Sequence, residues 1–324
     1  MKKKTKQIIL IIFMLIIGIF IKFVFPILFP PTIPTDNIKQ LIFIGVDGMQ
    51  YNHYHEMLSA NRLPNFQRLI SNNGWAGSGL ITGHSITTTA PGNAELHTGL
   101  NETLNGISDN TCGKSIPAGK TSYERINKFN SNISLGLIYG KGTCYIPDAI
   151  LTNAKPVISW WQNMTTYPQR TWVSANCADS RDVSNKALEF LNEHKNESFY
   201  ITVYFGVPDC VGHTYGENSQ EYNDAFLNVD DGIGILLDWI NANNVNIQII
   251  LSADHGWNEG TTGHGNANLD TLTIPLITNN ASLLGRIYSQ GVRKQCDIAP
   301  TILDYFDIPI QTDITSNGCG SMIM

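Results

Sequence analysis

Five short stretches of the chain are apolar almost without a break. They are KQLIFIGVDGMQ from Lys39, ISLGLIYG from Ile133, SFYITVYFGVPD from Ser198, NIQIILSAD from Asn246 and TIPLIT from Thr273. Runs of this length without alternation are expected of strands covered on both faces. Between them, apolar residues return at helical spacing. LPNFQRLISNNG, from Leu63, predicts a helix stopped by Gly74, and VSNKALEFLNEH, from Val183, predicts another with Ser184 as its N-cap. A long helix from about Glu221 to Ala242 places Phe226, Val229, Ile233, Leu236 and Leu237 on one side. APGNAELHTGL opens a further helix with Pro91 in its first turn, and DIAPTILDYF gives the last one. Alternating strands and helices predict the α/β class, with a mostly parallel sheet and helices on both faces.

The N-terminus departs from this pattern. Ile8 to Ile21 is apolar throughout, Lys22 can snorkel, and apolar character resumes to Phe29. Four lysines precede the run and orient the N-terminus to the cytoplasm. The chain therefore divides into a cytoplasmic tail (1–7), a transmembrane signal anchor (8–29), a stiff linker (30–38) and an extracytoplasmic domain (39–324). A cleaved signal peptide, and hence a secreted protein, is the alternative. Cys112, Cys144, Cys177, Cys210, Cys296 and Cys319 show no CxxC pairing, so disulfides are expected rather than a zinc knuckle. Sequons at Asn101, Asn132, Asn163, Asn196 and Asn280 fit a glycoprotein, although an Asn-rich chain produces such triplets by chance. The net charge of -6 carries no basic bias, so no nucleic-acid surface is expected. Oligomeric state is left open.

Candidate chemistry gathers at strand ends. Three of the predicted strands end in aspartate, at Asp47, Asp209 and Asp254. Ligands of open α/β sheets bind beyond the carboxyl ends of the strands. His213 follows four residues after Asp209; His255 adjoins Asp254; His264 lies further along SADHGWNEGTTGHG, a Gly- and Thr-rich loop read as exposed. Three carboxylates and three imidazoles suit two transition-metal ions. Mixed nitrogen and oxygen ligation favours zinc, with manganese or iron as the other candidates. Paired ions clamp the attacking and leaving oxygens of an in-line displacement. A hydroxyl among Thr87, Thr88 and Thr89, before the helix at Pro91, supplies a nucleophile; an ordinary N-cap is the other reading.

VDGMQ, TAPGN, PDCVGH, ADHG and GHG occur in the order found in the alkaline phosphatase superfamily. From Leu41 to about Leu303 the chain most resembles the type I phosphodiesterase/nucleotide pyrophosphatase family. The resemblance implies a three-layer α/β sandwich. It also implies that Asp209, His213 and His264 hold one zinc ion, and that Asp47, Asp254, His255 and Thr89 hold the other. By the same resemblance Thr89, two residues before Pro91, is the nucleophile, and Asn93 contacts a phosphate oxygen. Thr89 and Asn93 stand where sulfatases carry Cys or Ser and Arg, so formylglycine chemistry is not expected.

The resulting expectation is a hydrolase of phosphodiester or pyrophosphate bonds in small, nucleotide-like substrates, working through phosphothreonine. A phosphomonoesterase or phosphonate hydrolase, a phosphoethanolamine-type transferase and a non-catalytic binding ectodomain are the alternatives. Diesters are favoured because no Lys or Arg lies between Gly83 and Gly99 to neutralise a dianion. The distant basic residues Lys141, Arg181 and Arg286 are the exceptions to test. His97 is read as a packed helix residue, Cys210 as a disulfide partner, and Trp160 and Trp161 as core or pocket wall.

Overall fold

The computed structural model describes residues 38–71, 73–142, 147–158, 160–164, 177–285 and 292–316. The tail, anchor and linker expected before Ile38 lie outside these residues, as do Cys144, Cys319 and Arg286. Among the described residues no helix is long and apolar enough to cross a membrane. Lys39–Met324 groups into one unit by its internal contacts.

Seven strands form one sheet: β1 (Gln40–Val46), β2 (Trp75–Leu80), β3 (Ser134–Tyr139), β4 (Trp160–Asn163), β5 (Phe199–Phe205), β6 (Gln248–Ala253) and β7 (Thr273–Thr278), in the order β2-β7-β6-β1-β5-β3-β4. β4, β3, β5, β1 and β6 run parallel, and β7 is antiparallel to both its neighbours, β6 and β2. The short, Gly-containing β2 and the edge strand β4 are additions to the five strands read from sequence. Neither carries a long apolar run, because an edge strand is covered less than a central one.

The helices that matter here are α1 (Tyr51–Ser59), α2 (Pro64–Ile70), α3 (Thr89–Thr98), α4 (Ser122–Phe129), α5 (Ser180–His194), α6 (Val207–Tyr215), α7 (Gln220–Asn243) and α8 (Ile298–Tyr305). β1 shows why its run is unbroken. Ile42, Ile44 and Val46 pack against α1, α2, α5 and α7, while Leu41 and Phe43 pack on the other face against α3, α4 and α8. Side chains alternate across a strand, so one strand feeds both cores. The result is the expected three-layer sandwich. α5 begins three residues before the predicted Val183; Asp179 caps it by accepting from Arg181 N, and Ser184 is buried inside the helix. The capping carboxylate lay upstream of the apolar periodicity that set the predicted start.

The parallel register aligns the C-terminal strand ends. Val46 pairs with both Phe205 and Ala253, and Tyr139 pairs with Tyr204. Asp47, Gly206, Asp254 and the Gly140-Lys141 segment therefore leave the sheet at one level. Asp209 does not end its strand as predicted. It sits in the first turn of α6, where Pro208 suits an N-terminal position. Asp209 and His213 consequently share one helix face at i,i+4 spacing.

Candidate metal centre

Asp47 and Asp254 are fully buried, as is His255, so this part of the loop is not solvent-exposed as the sequence suggested. The apolar run into Asp254 and the packing of α3 draw it inward. Gly92 on α3 rests on Asp254; a Cβ there would collide with the Asp254 carbonyl oxygen. Gly48 takes φ +65, and a Cβ on it would lie 3.1 Å from Asp209 Cβ. Its amide donates to Asp254 Oδ1 over 3.1 Å. Glycine at both positions lets three chain segments close around the carboxylates.

The six predicted ligands converge. His264 Nε2 lies 3.2 Å from Asp209 Oδ1 and 3.2 Å from His213 Nε2, and His213 Nε2 lies 3.5 Å from Asp209 Oδ1. His255 Nε2 lies 3.4 Å from Asp47 Oδ1, 3.6 Å from Asp254 Oδ2 and 3.5 Å from Thr89 Oγ1. Asp209, His213 and His264 form one group able to hold an ion; Asp47, Asp209 and His255 form another. Asp209 thus belongs to both groups, a sharing that the spacing did not reveal.

The tautomers follow from the partners. Nδ1 of His255, His264 and His213 faces the carbonyl oxygens of Gly256 (2.9 Å), Thr87 (2.7 Å) and Thr262 (3.1 Å). A carbonyl can only accept, so each Nδ1 carries a proton, and in the neutral form of each ring Nε2 presents a lone pair. Those lone pairs face carboxylate oxygens, which also only accept. Oδ1 of both Asp47 and Asp209 is buried without a hydrogen-bond donor. Acceptors gathered in this way fit a metal cation, and backbone-fixed Nδ1 protons are the usual support for metal-ligating histidines. Burial first, and the neighbouring Asp47 charge second, push the Asp254 carboxyl well up. Burial also raises Asp209, but the Lys141 ammonium beside it outweighs that and holds Asp209 well below the usual carboxylate range.

Thr89 occupies the first turn of α3, behind Thr88 at the N-cap position, whose side chain makes no capping bond. Asn93 is turned inward. Its Nδ2 donates to Thr89 O (2.9 Å), Tyr204 OH (3.0 Å) and Asp254 Oδ2 (3.2 Å), while its Oδ1 accepts from Tyr139 OH at 3.0 Å. The amide braces Asp254 from within the protein. Asn110, passed over in the sequence, accepts from Ala90 N at 2.8 Å, one residue after Thr89. Its NH2 group belongs to the same planar amide and offers a donor beside that helix start. Chain spacing alone gave no signal for Asn110.

Of the three distant basic residues named from the sequence, Lys141 reaches the site. Its ammonium pairs with Asp47 Oδ2 at 2.8 Å and with Asp209 Oδ2. Arg181, by contrast, is tied to Asp179 and Asp231.

The model of the type I phosphodiesterase/nucleotide pyrophosphatase family matches residues 41–278. The chain belongs to this family. It is similar to the ectonucleotide pyrophosphatase/phosphodiesterase family member 7 of Mus musculus, with 41% identity over 58 residues, 17% of this chain and 13% of the relative. It is also similar to the 2,3-bisphosphoglycerate-independent phosphoglycerate mutase of Metamycoplasma hominis, 30% identical over 139 residues, 42% of this chain and 26% of that protein. In fold it resembles murine ectonucleotide pyrophosphatase/phosphodiesterase 5, with a TM-score of 0.57 at 13% identity, covering 84% of this chain and 96% of that one. All five motifs that carried the resemblance fall within the matched residues of the family.

The other histidines have structural partners. His97 is buried, stacked on Tyr123 and edge-on to Phe43; burial lowers it to about 3. His53 pairs with Glu217 at 2.6 Å. Trp160 packs against Phe190 and under Lys186, on the α5 side of the sheet. Cys177 and Cys210 form a disulfide, and Cys112 and Cys296 are disulfide-bonded as well.

Below Thr89, Glu95 Oε2 lies 3.3 Å from His84 Nε2. His84 Nδ1 faces the Ile86 carbonyl oxygen at 2.7 Å, and its Nε2 also faces Gln295 Oε1 at 3.2 Å. Burial pushes Glu95 up to about 8, so its carboxyl keeps its proton through neutral pH. A raised carboxyl gives stability that is complete below its unfolded value and lost as pH rises through its folded value. Between pH 4.5 and about 8, Glu95 is therefore expected to remove up to about 1.4 kcal/mol per pH unit. Glu95→Gln keeps a donor without the titration. Its thermal midpoint, followed from pH 5 to 9, should fall less steeply than that of the parent; equal slopes would rule out this protonation.

Proposed function

We propose that the chain is a metal-dependent hydrolase of phosphodiester or pyrophosphate bonds, with Thr89 as nucleophile and two divalent cations, zinc by the ligand set. The observation that carries this reading is the convergence of three Nε2 lone pairs and three carboxylates beside the Thr89 hydroxyl. Asp209, His213 and His264 would hold one ion; Asp47, Asp254 and His255, with Thr89, the other, and Asp209 lies close enough to serve both. When bound, the ions supply Lewis-acid stabilisation and lower the pKa of the coordinated hydroxyl.

The chain's own residues then account for the rest. Thr89 Oγ forms a bond to phosphorus while the ester oxygen opposite leaves with a proton as an alcohol. Water cleaves the resulting phosphothreonine, restores the hydroxyl and releases the phosphate monoester. Asn93 holds Asp254 and the Thr89 carbonyl in place, so its suggested contact with substrate passes in this proposal to the free donor of Asn110. The substrate is a small phosphodiester or nucleotide-like pyrophosphate. The apolar run at 8–29 and the Cys177–Cys210 bond support an exported domain, anchored or secreted.

The zinc-loaded protein, assayed with bis(4-nitrophenyl) phosphate and a dinucleoside pyrophosphate, is expected to turn over at least one. Loss of nitrophenolate and nucleotide release alike, in protein shown to hold its metal, would reject the reading.

A further inference from the structure

The site contains a cation that the motifs do not include. Lys141 lies two residues beyond β3, and the register of β3 with β5 brings it level with Asp47 and the start of α6. Its side chain is 7% exposed, and its ammonium bridges Asp47 and Asp209. These two aspartates supply both ligand groups, so Lys141 is placed between them. The segment is fixed on both sides. Gly140 N donates to Tyr204 O over 2.8 Å, and Ala178 N donates to Gly140 O over 2.9 Å.

Charge accounting gives the lysine a function beyond pairing. Three carboxylates leave two divalent cations with one positive charge in excess, which matches a monoanionic diester. Lys141 raises that excess to two, which matches a dianionic phosphate monoester. An ammonium has three N–H donors and no acceptor. Those donors sit on Asp47, whose other oxygen lies 3.4 Å from His255 Nε2, the atom that Thr89 Oγ1 meets at 3.5 Å, and cations on the carboxylates would release them.

We propose that Lys141 contacts a non-bridging oxygen of a dianionic phosphoryl group and so makes the same centre a phosphomonoesterase as well as a diesterase. This rests on the proposed hydrolase reading. The reaction balances without a further reactant. Thr89 Oγ displaces the alcohol, which leaves with the hydroxyl proton, and water then converts phosphothreonine to inorganic phosphate. The diester preference expected from the sequence rested on Gly83–Gly99, with Lys141 among the distant exceptions, and the extra charge arrives from that residue.

The test compares 4-nitrophenyl phosphate with bis(4-nitrophenyl) phosphate on zinc-loaded parent, Lys141→Gln, Lys141→Met and Lys141→Arg. The parent should hydrolyse the monoester with kcat/KM within about tenfold of the diester. Removing the charge should lower monoester kcat/KM by about 100-fold and diester kcat/KM by less than about tenfold, with Lys141→Arg retaining most monoester turnover. Equal losses on both esters would overturn the proposal, as would a parent that cleaves only the diester. Calorimetric titration with inorganic phosphate and with dimethyl phosphate reads the contact without turnover. The neutral variants should lose about tenfold or more in affinity for phosphate while dimethyl phosphate is unaffected; equal affinity for phosphate would overturn the proposal. If the parent cleaves neither ester, the hydrolase reading fails, and the phosphate titration still decides what Lys141 recognises. A Lys141→Gln protein that does not fold leaves Lys141→Met and Lys141→Arg to give the same comparison.

Discussion

Thr89→Ala is expected to lower diester turnover by about 10,000-fold or more, because no other described hydroxyl meets His255 Nε2 as Thr89 does. The neighbouring threonines predict a graded series. Thr88 Oγ1 has no hydrogen-bond partner among the described residues, so Thr88→Ala should leave kcat nearly unchanged. Thr87 Oγ1 contacts Asn266 O (3.3 Å) and Gly265 N (3.2 Å), and the Thr87 carbonyl holds His264. Thr87→Ala keeps that carbonyl and should cost a few-fold through the loop. Thr89→Ser retains the hydroxyl and should recover part of the activity. Mass spectrometry of quenched enzyme should find phosphate on Thr89. A dead Thr88→Ala protein with an active Thr89→Ala protein would move the nucleophile and with it the register of the site.

Removing the cations is expected to have a comparable effect. A chelator should abolish turnover, and zinc should restore it. The shared position of Asp209 sharpens the expectation. His213→Ala removes a ligand from one group, whereas Asp209→Ala removes a ligand from both. After dialysis, elemental analysis should therefore find about two ions per chain in the parent, about one in His213→Ala and fewer in Asp209→Ala. Turnover indifferent to chelator would exclude the metal mechanism. Equal metal content in the two variants would show that Asp209 is not shared.

The parts legible in the sequence were those written in local pattern. Central strands declared themselves because both faces are covered, and α7 because one side of it is mostly apolar for about five turns, from Tyr222 to Trp239. The ligands were legible because Asp47 and Asp254 directly follow central strands, and because Asp209 and His213 share a local helical spacing. What escaped depends on contacts distant in sequence. Lys141, named only as one of three distant exceptions, is singled out when β3 pairs with β5. Asn110 meets the start of α3 twenty residues from Ala90, and the inward turn of Asn93 depends on Tyr139 and Tyr204 from two other strands. The burial of Asp254 and His255 was missed for a related reason. A Gly- and Thr-rich composition describes the outer part of their loop, while α3 covers its first residues.

The Cys177–Cys210 bond joins the segment that bridges to Lys141 with the helix that carries Asp209. Closing a loop of this size lowers the entropy of the unfolded chain by about 3–4 kcal/mol of stabilisation. In a reducing cytosol that tether is open, and the segments carrying the ammonium and its carboxylate partner are joined only by noncovalent contacts. The covalent bond therefore couples the redox state of two cysteines to how firmly the lysine and its carboxylate are held together.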